Sequence, residues 1–285
     1  MSGKIMSMIT LQSSRNNMPA MKIKKPILKF YAQILIAFGM FVLFSSYASA
    51  IVNVEQAIIG KPSEGVHNSM DLLASGASGN TNTSSTNASF LSLWQHGDHT
   101  EFLQIQYAYG KSGGKVDTDN AFAHLRHRTA ISHDWAVEAF AQTGQNPFAR
   151  LTKRTLLGGG MRRVLYEENN KSAGYFGFGA FYEHELLTDT LGTTDPLQEN
   201  LWRANTYLVL KRQFNDQVRL YSTTYYQPAF EDTADYRLLE QASMLVKMAE
   251  NLDFKISLDF SFDSKPPQTV QKRDLVYSTG LQFTF

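Results

Sequence analysis

The chain is built on alternation. From Leu252 to Phe262 (LDFKISLDFSF) the apolar residues Leu252, Phe254, Ile256, Leu258, Phe260 and Phe262 take every second position, while Asp253, Lys255, Ser257, Asp259 and Ser261 fill the others. A helix would scatter both sets around its circumference; a strand puts one on each face. The closing stretch from Leu275 to Phe285 repeats the design, and the same phase runs through Leu103, Ile105, Tyr107 and Tyr109 and through Trp202, Ala204, Thr206, Leu208 and Leu210. Read throughout, the pattern predicts twelve strands, at residues 64–77, 83–95, 99–111, 118–131, 134–147, 151–166, 172–186, 199–213, 216–229, 234–248, 251–263 and 272–285.

Strand length separates a soluble from a membrane protein. Soluble strands run ~5–6 residues, and a tilted membrane-spanning strand needs ~9–11; all of these are long enough. The connections at 95–98, 132–134, 167–170, 215–216 and 250–251 are short, and the intervening ones include the longer stretches 111–118, 187–198 and 264–271. Short turns at one end and longer loops at the other mark an outer-membrane barrel with both termini in the periplasm. In lipid such a chain satisfies its backbone only by closing on itself. A soluble β-sandwich or lipocalin-like barrel would alternate too, with its apolar face inward. Here the polar face carries Arg203, Lys211, Arg219, Asp253, Lys255 and Asp259, too many charges for a packed core and suited to a wet lumen. The expected fold is an all-β, transmembrane outer-membrane antiparallel up-and-down β-barrel of 12 strands over residues 64–285.

Composition adds the route to that membrane. The chain has 27 Lys and Arg against 26 Asp and Glu; six of the bases (Lys4, Arg15, Lys22, Lys24, Lys25, Lys29) and none of the acids precede residue 51, leaving 21 bases against 26 acids beyond it. That acidic remainder argues against a nucleic-acid partner. Residues 21–50 read as a basic segment, an apolar run and the small-residue triplet Ala48-Ser49-Ala50, a Sec signal peptide cleaved after Ala50. An uncleaved anchor helix is the alternative, but the run is short for the ~20 residues of a spanning helix. Residues 1–20 read as a disordered extension or a mis-assigned start, and 51–63 as a short periplasmic segment. Cysteine is absent, which excludes disulfides, thiolate metal sites and Cys nucleophiles. The 19 Phe and 13 Tyr fit a barrel whose outer face is apolar with aromatic rims.

Candidate chemistry is sparse. Of the seven His, His96, His99 and His133 fall at expected periplasmic turns, and His124 and His127 lie on opposite faces of one strand, which defeats a shared metal site or dyad. His124, Arg126 and Arg128 share a face and form a basic stripe, with Glu138 on the next strand and Glu183 and Glu185 further round expected to pair with it across the lumen. Such a stripe opposite acids either orients small charged solutes or fills the pore structurally. The candidate lumen charges are therefore His124, Arg126, Arg128, Glu138, Glu183, Glu185, Arg203, Arg219, Lys255 and Asp259. Gly158-Gly159-Gly160 lacks the context of a phosphate loop and reads as a bend or a close approach. No cofactor is expected. A barrel enzyme that hydrolyses lipid or peptide would need Ser, His and acid converging at a rim, which the strand phases do not supply.

Three stretches carry a resemblance. SGNTNTSSTNASFLSL (78–93), DYRLLEQASMLVKMAENLDFKISLDFSFDSKPP (235–267) and KRDLVYSTGLQFTF (272–285) resemble the YdiY-like salt-induced outer membrane protein family, domain of unknown function 481. The resemblance implies an outer-membrane barrel of Gram-negative bacteria, and the family has no established molecular activity. The terminal Ser278, Gly280, Phe283 and Phe285 are similar to the signal read by the barrel assembly machinery, with aromatics three and five positions after the Gly. Expected partners are thus outer-membrane lipid, that machinery and, for an open lumen, small polar solutes.

Overall fold

The computed structural model describes residues 62–77, 83–168 and 171–285. The signal peptide with Ala48-Ser49-Ala50, the 1–20 extension, most of segment 51–63 and the Ser78-Gly79-Asn80-Thr81 turn lie outside the described residues.

The strands are β1 (Gly65–Ala77), β2 (Thr83–His96), β3 (His99–Ser112), β4 (Lys115–Ala130), β5 (Trp135–Asn146), β6 (Leu151–Glu168), β7 (Ser172–Leu187), β8 (Gln198–Gln213), β9 (Val218–Pro228), β10 (Tyr236–Ala249), β11 (Leu252–Asp263) and β12 (Arg273–Thr284). Each pairs antiparallel with its sequence neighbours, and β12 returns to β1 to close the barrel. The shortest, β9, has 11 residues and the longest, β6, has 18, so every strand can cross a bilayer. Among the described residues no helix is long and apolar enough to do so.

The faces follow the sequence phase. Residues such as Ile105, Leu125, Leu157, Phe178 and Tyr277 are exposed on the outside. Tyr182 packs against Trp202 at 5.4 Å and Tyr226 against Tyr236 at 5.6 Å toward the loop end, while Trp135 meets Phe178 at 6.3 Å toward the turn end. Apolar flanks with aromatics near both rims make this the exterior of an outer-membrane barrel.

One connection corrects the sequence reading. The expected long loop at 111–118 is a two-residue turn, and β4 starts at Lys115. Gly113 and Gly114 have φ of 55° and 80°, and positive φ at both central residues is what a tight hairpin turn between twisted strands requires. The long connections that remain are 188–197 and 264–272, with a shorter one at 229–235.

Glycine allows two close backbone approaches. A Cβ on Gly179 would stand 2.1 Å from the Gly159 carbonyl oxygen, and one on Gly160 2.3 Å from that of Phe178, so the glycine run in β6 is a close approach to β7. At the closing seam a Cβ on Gly280 would stand 1.9 Å from the Leu72 oxygen.

Candidate functional site

The lumen is divided. From β5 round to β10 it is packed: Ala173, Tyr175, Tyr207, Val209, Tyr225 and Leu239 form one buried cluster, and Phe140, Leu156 and Phe181 another. Charges in this sector are threaded between the rings. Toward the turn end, Arg128 Nε donates to Glu138 Oε1 at 2.6 Å, the Tyr207 hydroxyl donates to Glu138 Oε2 at 2.5 Å, and Arg126 stands 3.7 Å from the same oxygen. The cations also lie on aromatic faces: Arg128 is 4.9 Å from the Phe102 centroid, and Arg162 is 3.8 Å from that of Tyr175. His124 is stacked between Phe122 and Phe140, with Nδ1 3.2 Å from Gln142 Oε1.

Toward the loop end a second network gathers three guanidiniums and four carboxylates. Glu183 Oε2 accepts from Arg203 Nε at 2.6 Å, while its Oε1 accepts from Arg237 and lies 3.2 Å from Arg154. Glu185 accepts from Arg154 and, at 2.8 Å, from Arg237. Arg203 grips Asp235 through both terminal nitrogens, at 2.9 and 3.2 Å, and Arg237 reaches Asp263 at 3.0 Å. The expectation that Glu183 and Glu185 pair with the basic stripe is thereby corrected. The stripe sits near the turn end of β4, the two acids near the loop end of β7, and Glu138 alone of the three is level with it. Arg154 and Arg237, absent from the sequence candidates, supply the missing cations. Both occupy inward phases of their strands, the signal that could have found them.

Above this network the loops are tied together. Pro147–Ala149 form a single 3-10 turn, and Arg150, at φ 57°, projects from its end. Its guanidinium donates to the Thr188 and Gln268 carbonyls, to Thr193 and to Asp195. One buried side chain thus links the connections after β5, β7 and β11. Partial burial alone would raise the Asp195 carboxyl, but the Arg150 guanidinium and the Gln268 N–H outweigh it and hold it below the usual carboxylate range.

Toward the loop end, along β1–β5 and β10–β12, the lumen stays open. A cavity of about 150 Å³ is bordered by Asn87, Gln106, Asn120, Gln142, Gln241 and Asp259, among others, and a second of about 60 Å³ continues from it past Gln104, Lys255 and Gln282. Leu73, Asn87, Gln106, Gln241 and Asp259 border both. β2 and β3 present no inward charge here. Lys255 donates to Asp71 at 2.5 Å, which also accepts from Gln282 at 2.7 Å and Ser89 at 3.1 Å. Arg219 is held by Asp253 at 2.5 Å. Of the candidate charges, Asp259 is the one placed on the open wall with a neutral donor, Gln241 Nε2 at 2.8 Å.

A family model described as "Protein of unknown function, DUF481" matches residues 71–285. The chain belongs to the DUF481 family. No curated protein matches the sequence. Among solved structures the DUF481 barrel is similar to the translocator domain of autotransporter NalP from Neisseria meningitidis, at 9% identity and a TM-score of 0.46, over 91% of this chain and 95% of that one. It is also similar to the NanC porin (11%, TM-score 0.48, 76% of this chain and 98% of that one) and the KdgM porin (7%, 0.43, 77% and 99%).

On the outside of the DUF481 barrel, at its turn end, His96, His99 and His127 come together with Glu101. Their ring centroids are 5.3 and 5.5 Å apart in succession, and Glu101 bridges His96 and His127. The sequence reading placed His96 and His99 at a solvated turn and missed this grouping, because the register of β2, β3 and β4 creates it.

Proposed function

We propose that this protein is a non-enzymatic outer-membrane channel of small bore, admitting small polar solutes from the loop end along the amide-lined wall. The observation that carries this reading is the division of the lumen: the charged half is packed with rings and ion pairs, while a cavity remains beside the uncharged inner faces of β2 and β3. Inward and buried Leu93, Phe102 and Leu245 narrow it toward the turn end, so the expected conductance is small. A non-enzymatic role is supported by His124, which is 2% exposed and held by Gln142 between two phenyl rings. In planar bilayers the refolded protein is expected to give small unitary currents, and Gln106→Trp to remove them while leaving the barrel folded. A folded wild-type barrel that passes no current overturns the channel reading and leaves a structural barrel.

The route to the membrane belongs to the same proposal. Sec export would remove the segment ending at Ala50, and the barrel assembly machinery would read the final strand. Phe285 exchanges both backbone hydrogen bonds with Asn68 at 3.0 Å while its side chain stands exposed, available to a receptor. Phe285→Ala keeps the ladder and removes only the ring, so it is expected to lower the amount of heat-modifiable barrel in cells without lowering secretion across the inner membrane. Unchanged assembly would contradict this role.

A further inference from the structure

We propose that the open wall of the lumen is a site for small organic ammonium ions, whose N–H groups are received by Asp259 and by the amide oxygens of Gln241 and Gln104. As a statement about solute class it rests on the channel reading; as a binding site it stands on its own geometry.

Among the described residues, both cations that border the two cavities are already engaged. Lys255, two inward positions along β11 from Asp259, is bound by Asp71, and Arg154, which borders the larger cavity, is bound by Glu183 and Glu185. Asp259 receives one neutral N–H, from Gln241, whereas a carboxylate has room for about four. That donation also fixes the Gln241 amide. Its nitrogen faces Asp259, so its oxygen is left without a protein donor although the residue is 6% exposed. Gln104, 7% exposed, has a buried amide oxygen in the same condition, as has Asn120. Asp274, inward on β12 toward the loop end and 3% exposed, has neither oxygen paired.

The wall is therefore rich in acceptors and poor in free donors, and the carboxylate that borders both cavities, Asp259, has no cationic hydrogen-bond donor. Desolvated acceptors are costly unless a donor reaches them. An ammonium offers three N–H groups and a positive charge and meets both needs. A carboxylate solute meets neither, and a neutral polyol leaves the charge of Asp259 uncompensated. Cavities of about 150 and 60 Å³ in contact suit a short, unbranched molecule.

Three four-carbon probes of similar length separate the possibilities: putrescine, 1,4-butanediol and succinate, titrated calorimetrically into the refolded full barrel in detergent. Putrescine is expected to bind, with the diol and the diacid at least about tenfold weaker, a difference of about 1.4 kcal/mol. Asp259→Asn should weaken putrescine by about tenfold or more and Asp259→Glu should retain it, both variants keeping wild-type heat-modifiability. Equal binding of putrescine and butanediol, preference for succinate, no putrescine binding, or an unaffected Asp259→Asn variant would each overturn the proposal. Because binding is read in detergent, the result is independent of whether the barrel conducts.

Discussion

Glu183→Ala is expected to destabilise the barrel by about 3–5 kcal/mol, the usual effect of removing one partner from a buried ion pair. Glu183 is 2% exposed, and its two oxygens serve Arg203, Arg237 and Arg154. Without it, Arg203 keeps Asp235, and Arg237 keeps Glu185 and Asp263, so the network survives in part; what is lost is the buried acceptor shared by three guanidiniums, whose freed N–H groups are left beside buried Phe181. Urea titration of the refolded variants reads the effect directly. Exposed Glu167→Ala serves as the control, expected within about 0.5 kcal/mol of wild type. A loss under about 1 kcal/mol at Glu183 would mean that the guanidiniums are solvated and the charged half of the lumen is not packed.

The second large effect separates adjacent residues of β11. Leu258 faces outward, with Ala242 and Tyr277 as its cross-strand partners, and Asp259 faces inward, opposite Gln241 and Val276. Leu258→Arg places a cation against lipid near mid-strand and should cost about 2–4 kcal/mol. Asp259→Arg points into the open cavity, should cost less, and should shift the selectivity of any current toward anions, since fixed charge sets the local counter-ion concentration. Equal destabilisation by the two substitutions would refute the assignment of faces in this strand.

The fold was legible because a membrane barrel writes itself in period two. Lipid demands an apolar residue at each outward position, so runs such as Leu252–Phe262 identify both a strand and its faces, and observed strand ends fall within three residues of the expected ones. The exception at 111–118 arose from reading Gly113-Gly114 as loop material when paired positive-φ glycines make the tightest hairpin turn. The lumen was less legible. Phase told that Arg126, Glu138 and Glu183 point inward, yet pairing depends on height along the axis and on strand stagger, which alternation does not encode. Hence Glu138 meets the basic stripe and Glu183 does not. Nor could the sequence reveal that Tyr175, Tyr207 and Tyr225 pack one half of the interior, since inward aromatics are compatible with either a wet or a filled pore.

The absence of native cysteine makes that division of the lumen directly measurable. Single cysteines at Asn87 and Gln106 on the open wall, and at Val209 in the packed half, can be exposed to a small water-soluble thiosulfonate in the folded barrel. Rapid labelling is expected at Asn87→Cys and Gln106→Cys, and labelling of Val209→Cys, where the native residue is 1% exposed, only after unfolding. Labelling of Val209→Cys as fast as the other two, or protection of all three, would contradict the division.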